Sequence, residues 1–189
     1  MNIYIDEAGA FVPPLGKRHL YSLVLTLVVP GTTEAALFYE FLRLRDGWPR
    51  QAVEIKGSKL SEDQTAEVMK LLATHGVIAE YYAIDMALHQ SAVIDEFKRR
   101  QAAALTENLT PAHAPAVVQR LHDDAQVIRT MANPLFVQTF LTIKLILEML
   151  DTAISYFAQR QPAELGRFAW TNRSEGPESH PRWSRCGRR

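Results

Sequence analysis

The sequence has little cysteine, no excess of charge of either sign and no long uninterrupted apolar run. Its single cysteine, Cys186, excludes an internal disulfide framework and points to a reducing compartment. Lys and Arg total 21 against 21 Asp and Glu, so no general cationic field is available to draw in nucleic acid. A nucleic-acid partner then needs a local basic patch or metal ions held on acidic side chains. The start Met1-Asn2-Ile3-Tyr4-Ile5-Asp6 lacks the basic and apolar blocks of a signal peptide. The most apolar stretch, Leu135 to Leu150, is interrupted by Gln138, Lys144 and Glu148, which suits a buried helix better than a membrane span. These absences lead to the expectation of a cytoplasmic protein with no membrane partner; they leave the oligomeric state open.

What is present is an ordinary globular composition. A chain of 189 residues with 47% hydrophobic side chains suffices for one core and is short for two. Asn2-Ile3-Tyr4-Ile5 reads as a strand that runs into Asp6-Glu7-Ala8-Gly9, and His19 to Val29 as a second, antiparallel strand stopped by Pro30-Gly31. Thr33 to Arg45 reads as a core helix with Gly47 as its C-cap, although its apolar residues make no perfect stripe. Ser61-Glu62-Asp63-Gln64 matches a capping box, opening a helix that Gly76 ends. Val77 to Asp85 alternates as a strand, and it too ends in an acid. Two helical stretches follow, about His89 to Asn108 and Ala116 to Met131, separated at Pro111 and Pro115. Asn133-Pro134 then starts a long helix, with asparagine at the cap and apolar residues nearly all round. That pattern predicts burial on more than one side. Leu165 to Trp170 reads as a last strand. From Thr171 to Arg189 there is no aliphatic residue, while Arg, Ser, Pro and Gly abound, a composition expected to stay disordered. The domain is therefore assigned to residues 1–170 and the tail to 171–189.

Four acids stand out by position: Asp6 and Glu7 at the first strand's end, Glu54 between two helices, and Asp85 at the third strand's end. Their oxygens are the hard ligands preferred by Mg²⁺ or Mn²⁺. In an unbroken strand Asp6 and Glu7 point to opposite faces, which makes Asp6 the first choice of the two and Glu7 its replacement. Glu54-Ile55-Lys56 in extended chain sets a carboxylate and an ammonium on one side, where the first holds metal and Lys56 steadies a phosphate or a developing hydroxide. The plainer reading of a strand-end acid is that it is solvated or caps a turn. The six histidines show no paired helical spacing with a third ligand, which argues against zinc. His89, four residues beyond Asp85, comes within sequence reach of that acid. Lys98-Arg99-Arg100 offers a phosphate-binding face or a merely solvated one. No phosphate loop and no nucleophile elbow is found.

Ile3-Tyr4-Ile5-Asp6-Glu7-Ala8-Gly9 and the later Glu54-Ile55-Lys56-Gly57-Ser58 resemble the opening of the domain-of-unknown-function 3800 family, common in bacteria and phages. The resemblance extends to Asn133-Pro134-Leu135-Phe136-Val137-Gln138 and to Phe168-Ala169-Trp170, so it spans nearly all of residues 1 to 170. It implies an α/β fold of the ribonuclease H-like kind. Such a fold has a mixed sheet opening with antiparallel strands, helices beside it, a long buried helix in its second half, and acids gathered around divalent metal. Asp6 and Glu54 match the family's acidic motifs by position; Asp85 matches only the strand-end acid of the wider fold. Family members generally continue after Phe-Ala-Trp with Ile-Asp and a basic residue, then further helix. Here Thr171-Asn172-Arg173 follows, then the aliphatic-free tail.

The expected function is a divalent-metal-dependent phosphodiester hydrolase acting on nucleic acid, with Asp6, Glu54 and Asp85 holding metal and Lys56 assisting. A catalytically weak binding or regulatory module of the same fold is the second reading, favoured by the neutral charge and the missing late acid. A carboxylate-pair glycoside hydrolase is the third, and it requires two carboxyl groups roughly 5 to 9.5 Å apart. The abrupt change of composition at Thr171 predicts a shifted reading frame or a truncation; resequencing the locus tests this, and an uninterrupted frame with closely similar tails in relatives would refute it.

Overall fold

In a computed structural model of the chain, the structure describes residues 1–14, 19–48 and 57–172. Among them, four strands form one mixed sheet: β1 (Asn2–Ala8), β2 (Tyr21–Val29), β3 (Ile78–Asp85) and β4 (Ala169–Asn172), in the order β3-β2-β1-β4. Five α-helices accompany it: α1 (Glu34–Asp46), α2 (Glu62–Thr74), α3 (Ser91–Glu107), α4 (Pro115–Thr130) and α5 (Asn133–Arg160). The described residues divide into two compact units. The first holds residues 1–6, 25–48, 57–80 and 148–172, and the second holds 7–14, 19–24 and 81–147. No helix among the described residues is long and apolar enough to cross a membrane.

In the first unit β1 and β4 run parallel, with Asn2 beside Ala169, Ile3 beside Trp170, Tyr4 beside Thr171 and Ile5 beside Asn172. Because β2 lies on its other side, β1 is paired along both edges. Ile3 is fully buried and Ile5 nearly so, so one face of the pleat carries the core and Tyr4 and Asp6 stand on the other. The 3₁₀ turn Pro162–Gly166 feeds β4, and it is tied down by Glu164, a buried carboxylate. Glu164 accepts hydrogen bonds from the Gly31 N–H at 2.8 Å, the Thr32 N–H at 3.2 Å and the Thr32 hydroxyl at 3.1 Å. The Met1 ammonium lies 2.9 Å from it and also donates to the Arg167 carbonyl at 2.8 Å. The strand expected over Leu165 to Trp170 therefore starts later. Pro162 and the pull of Glu164 turn Leu165 and Gly166 into the 3₁₀ segment, and β4 reaches Asn172, two residues into the stretch assigned to the tail. Residues 173–189 of that tail lie outside the described residues.

α2 opens as the capping box requires: Gln64 N–H donates to Ser61 Oγ at 3.2 Å, and Ser61 N–H donates to Gln64 Oε1 at 2.9 Å. It ends at His75, with Gly76 at φ +66°. α1 departs from expectation. No residue in it is buried, and Tyr39 is largely exposed; an apolar set without a stripe offers no single face to a core, so the helix packs on α2 from the surface.

In the second unit α3 and α4 pack together, with Ile94, Ala102 and Ala125 buried. Phe97, Phe136 and Phe140 make edge and stacked ring contacts where α3 meets the start of α5. α5, whose residues from Glu148 onward belong to the first unit, buries Phe136 and then every fourth residue from Val137, namely Val137, Leu141, Leu145, Met149, Ala153 and Phe157. Burial on more than one side does not hold: Ile143, Leu147 and Ile154 are about half exposed or more. Asn133 is also not simply the cap of its own helix, since its Oδ1 accepts from Lys98 Nζ at 2.7 Å.

Burial alone would raise the Glu164 pKa, but the Met1 ammonium and the Gly31 and Thr32 N–H groups outweigh it and hold it down at about 2. A depressed folded-state pKa adds stability that is full above the ordinary value of 4.5 and drains away as pH falls toward about 2. Glu164→Gln is expected to lose roughly 3 kcal/mol near neutrality. In urea unfolding the gap between wild type and variant should narrow from about pH 6 to about pH 3; a gap independent of pH would refute the account.

Candidate functional site

β1 is continuous from Asn2 to Ala8, so the chain does not break between the two acids and the pleat sends them to opposite faces. Asp6 is exposed, whereas Glu7 is half-buried. Beside Asp6 on its face, Tyr4 donates its hydroxyl to Glu34 Oε1 at the start of α1. Burial, then the bond to Glu34 and its charge, raise the Tyr4 pKa well above the ordinary tyrosine value, so the phenol keeps its proton at any physiological pH.

The residues after the acids are fixed by sterics. Gly9 has φ +106°, and a Cβ there would lie 2.5 Å from Ser22 Oγ and 2.7 Å from Ser22 Cα. Phe11 follows at φ +52°, buried, with its N–H donating to Ser22 Oγ at 3.0 Å. A non-glycine residue in the left-handed region is uncommon; here burial of the ring and the bond to Ser22 hold it. Within Asp6-Glu7-Ala8-Gly9, then, the glycine answers to the close approach of β2 and the acids do not.

Asp85 closes β3 and meets the plainer reading of a strand-end acid. Its Oδ1 accepts from the Ala87 N–H at 3.0 Å and the Leu20 N–H at 3.3 Å, capping the 3₁₀ turn Met86–Leu88. Its other oxygen bonds His19 Nδ1. The His19 bond first, with the two backbone N–H groups, lowers its pKa against the opposing effect of desolvation. His89, the histidine near Asp85 in sequence, instead donates its backbone N–H to Met86; the partner is His19, which sequence order does not reveal.

Lys98 corrects the basic-triplet reading. It falls four residues after Ile94 and four before Ala102, on the buried row of α3, and turns inward. Its Nζ donates to the Met131 carbonyl at 3.0 Å and to Asn133 Oδ1 at 2.7 Å, and pairs with Asp95 at 3.2 Å. Arg99 and Arg100 pair with Glu96 at 2.7 Å and 3.7 Å. No three-residue phosphate face results. The bonds to Asn133 and then Lys98 lower the Asp95 pKa.

Glu54 and Lys56 lie outside the described residues. Among the described residues no group of three or more His, Cys, Asp or Glu side chains is placed to hold a metal ion. Of the four acids expected to hold metal, Asp6 is exposed and Glu7 half-buried, Asp85 bonds His19, Leu20 and Ala87, and Glu54 is not among the described residues.

Gly9→Ala is expected to cost roughly 3 kcal/mol, from a forbidden φ together with a backbone clash. Ser22→Ala, which removes only the acceptor for Phe11, should cost roughly 1 to 2 kcal/mol. Urea midpoints rank the two variants, and a Gly9→Ala protein as stable as wild type would refute the steric account.

The chain was compared with known proteins by sequence and by structure: no protein-family model matches it, and neither does any curated protein or solved structure.

Proposed function

We propose that the chain is a divalent-metal-dependent phosphodiester hydrolase of ribonuclease H-like fold, acting on nucleic acid and belonging with the domain-of-unknown-function 3800 proteins it resembles. The observation that carries this reading is Asp6: an exposed carboxylate directly after the part of β1 that is paired along both edges. A carboxylate on a regular strand backbone beside so constrained a segment is placed before any ligand arrives. The adjacent pairing of the first two strands, and the return of the chain to lay β4 parallel to β1 after several helices, support the fold part of the reading.

In this reading Asp6 and Glu54 hold Mg²⁺ or Mn²⁺, with Glu7 as the replacement for Asp6, and Lys56 steadies the phosphate. Bound divalent ions supply a clamp on the attacking water and the leaving oxygen. Asp85 leaves the metal-holding set, because its oxygens already serve His19, Leu20 and Ala87. Tyr4, kept protonated, keeps Glu34 occupied on the face that Asp6 shares.

The second reading, a weakly catalytic binding or regulatory module, is favoured by one observation: Asn172, an amide, stands where the resemblance expects the late acid, paired in register with Ile5.

Purified protein with Mg²⁺ or Mn²⁺ is expected to cleave labelled RNA, DNA or an RNA–DNA hybrid, and Asp6→Asn to lower the rate on the order of a hundredfold or more. Equal cleavage by both proteins would remove the hydrolase reading, and no cleavage by either would favour the binding module.

A further inference from the structure

His19 stands just ahead of β2 and Tyr21 begins it, both in the second unit. Their rings are 10° from parallel with centroids 6.2 Å apart, and both are open to solvent, at 69% for His19 and 62% for Tyr21. An exposed side chain ordinarily samples several rotamers, and ordering it on binding costs free energy. Here that cost is already met for the imidazole. Its Nδ1 is bonded to Asp85, whose other oxygen is fixed by the Leu20 and Ala87 N–H groups. Tyr21 follows two residues on, with its ring stacked beside that of His19.

Neighbouring solvent-facing rings, one of them held in place, are what an unpaired nucleobase stacks on, with sequence tolerance, because every base has a π-face. The chain's charge balance bears on the choice of partner. With 21 basic and 21 acidic residues and Arg99 and Arg100 both paired to Glu96, general phosphate attraction is weak, and stacking is the contribution that does not depend on a cationic field.

We infer that His19 and Tyr21 form a stacking platform for an unpaired base of a single-stranded nucleic acid, with Asp85 as the residue that positions His19. The inference deepens the nucleic-acid reading above and rests on it for the class of partner. Single strands are named because a base inside a duplex is already stacked on both faces.

The test is fluorescence anisotropy on the full chain, with EDTA present so that no strand is cut. Three labelled probes of equal length are compared: a thymidine single strand, an abasic single strand and a duplex. The thymidine strand should bind on the order of tenfold tighter than the other two, with a weak dependence on salt. Tyr21→Ala and His19→Ala should each remove most of that margin, Tyr21→Phe should keep it, and Asp85→Asn should lose part of it. Circular dichroism and melting temperature establish that each variant is folded. Equal binding of thymidine and abasic strands overturns the platform, as does the absence of any binding, or a folded Tyr21→Ala protein that keeps the margin. The two readings fail separately. A wild type that prefers the thymidine strand yet cuts nothing in Mg²⁺ or Mn²⁺ keeps the platform and loses the hydrolase. One that cuts but shows no preference for bases keeps the hydrolase and loses the platform.

Discussion

One buried carboxylate holds the first unit together. Glu164 collects two backbone N–H groups, a hydroxyl and an ammonium from the segment before α1 and the start of β1. The Met1 ammonium and the Glu164 carboxylate are buried, and each would be costly to leave there without the other. The arrangement also decides where β4 begins. With the Pro162–Gly166 turn anchored, Ala169 N–H reaches the Met1 carbonyl at 3.1 Å, and the parallel register with β1 follows. From Asn2 to Ile5, β1 owes its second paired edge to that register.

Around the acids, the structure separates residues that look like one motif. Asp6 and Glu7 are neighbours in sequence and opposed in space because the pleat is unbroken, while Gly9 and Phe11 answer to Ser22 on β2. Asp85 has a similar strand-end position and a different use. Its carboxylate is committed to a turn and to the His19 imidazole.

Much of the architecture was legible because it is encoded locally. The Ser61–Gln64 capping box spans one helical turn, and the alternation of Ile78 to Asp85 needs only a period of two. The break read at Pro115 is also local, although the structure puts that proline inside the first turn of the next helix and not ahead of it. Long-range partnerships were not legible. Glu164 meets Gly31 and Thr32 across more than a hundred positions, and His19 meets Asp85 across 66. Lys98 was misread for a subtler reason: the triplet Lys-Arg-Arg looks basic, but only the residue in line with Ile94 and Ala102 turns inward. The long apolar pattern of α5 was legible as a helix, yet pattern alone did not tell a single buried row from burial all round. Within the candidate site, the opposition of Asp6 and Glu7 could be read from strand geometry, whereas the engagement of Asp85 depended on a fold-level neighbour.

The contact between Gly9 and Ser22 has a bearing on how any library of random variants of this chain should be scored. Three positions apart, residues 6 and 9 would fail in different currencies. Asp6 is exposed on its strand, so in the proposed hydrolase reading a change there acts mainly on the chemistry and less on the folding. A change at Gly9 is filtered out earlier, in the folding of the polypeptide, whatever the chemistry of the new side chain. Normalising activity to soluble protein would therefore make position 9 nearly silent, while position 6 would stay visible if the proposed hydrolase reading holds. The short run from Asp6 to Gly9 thus joins a residue of proposed chemistry to one that records how closely two strands approach, and only an assay that counts folded molecules separates the two.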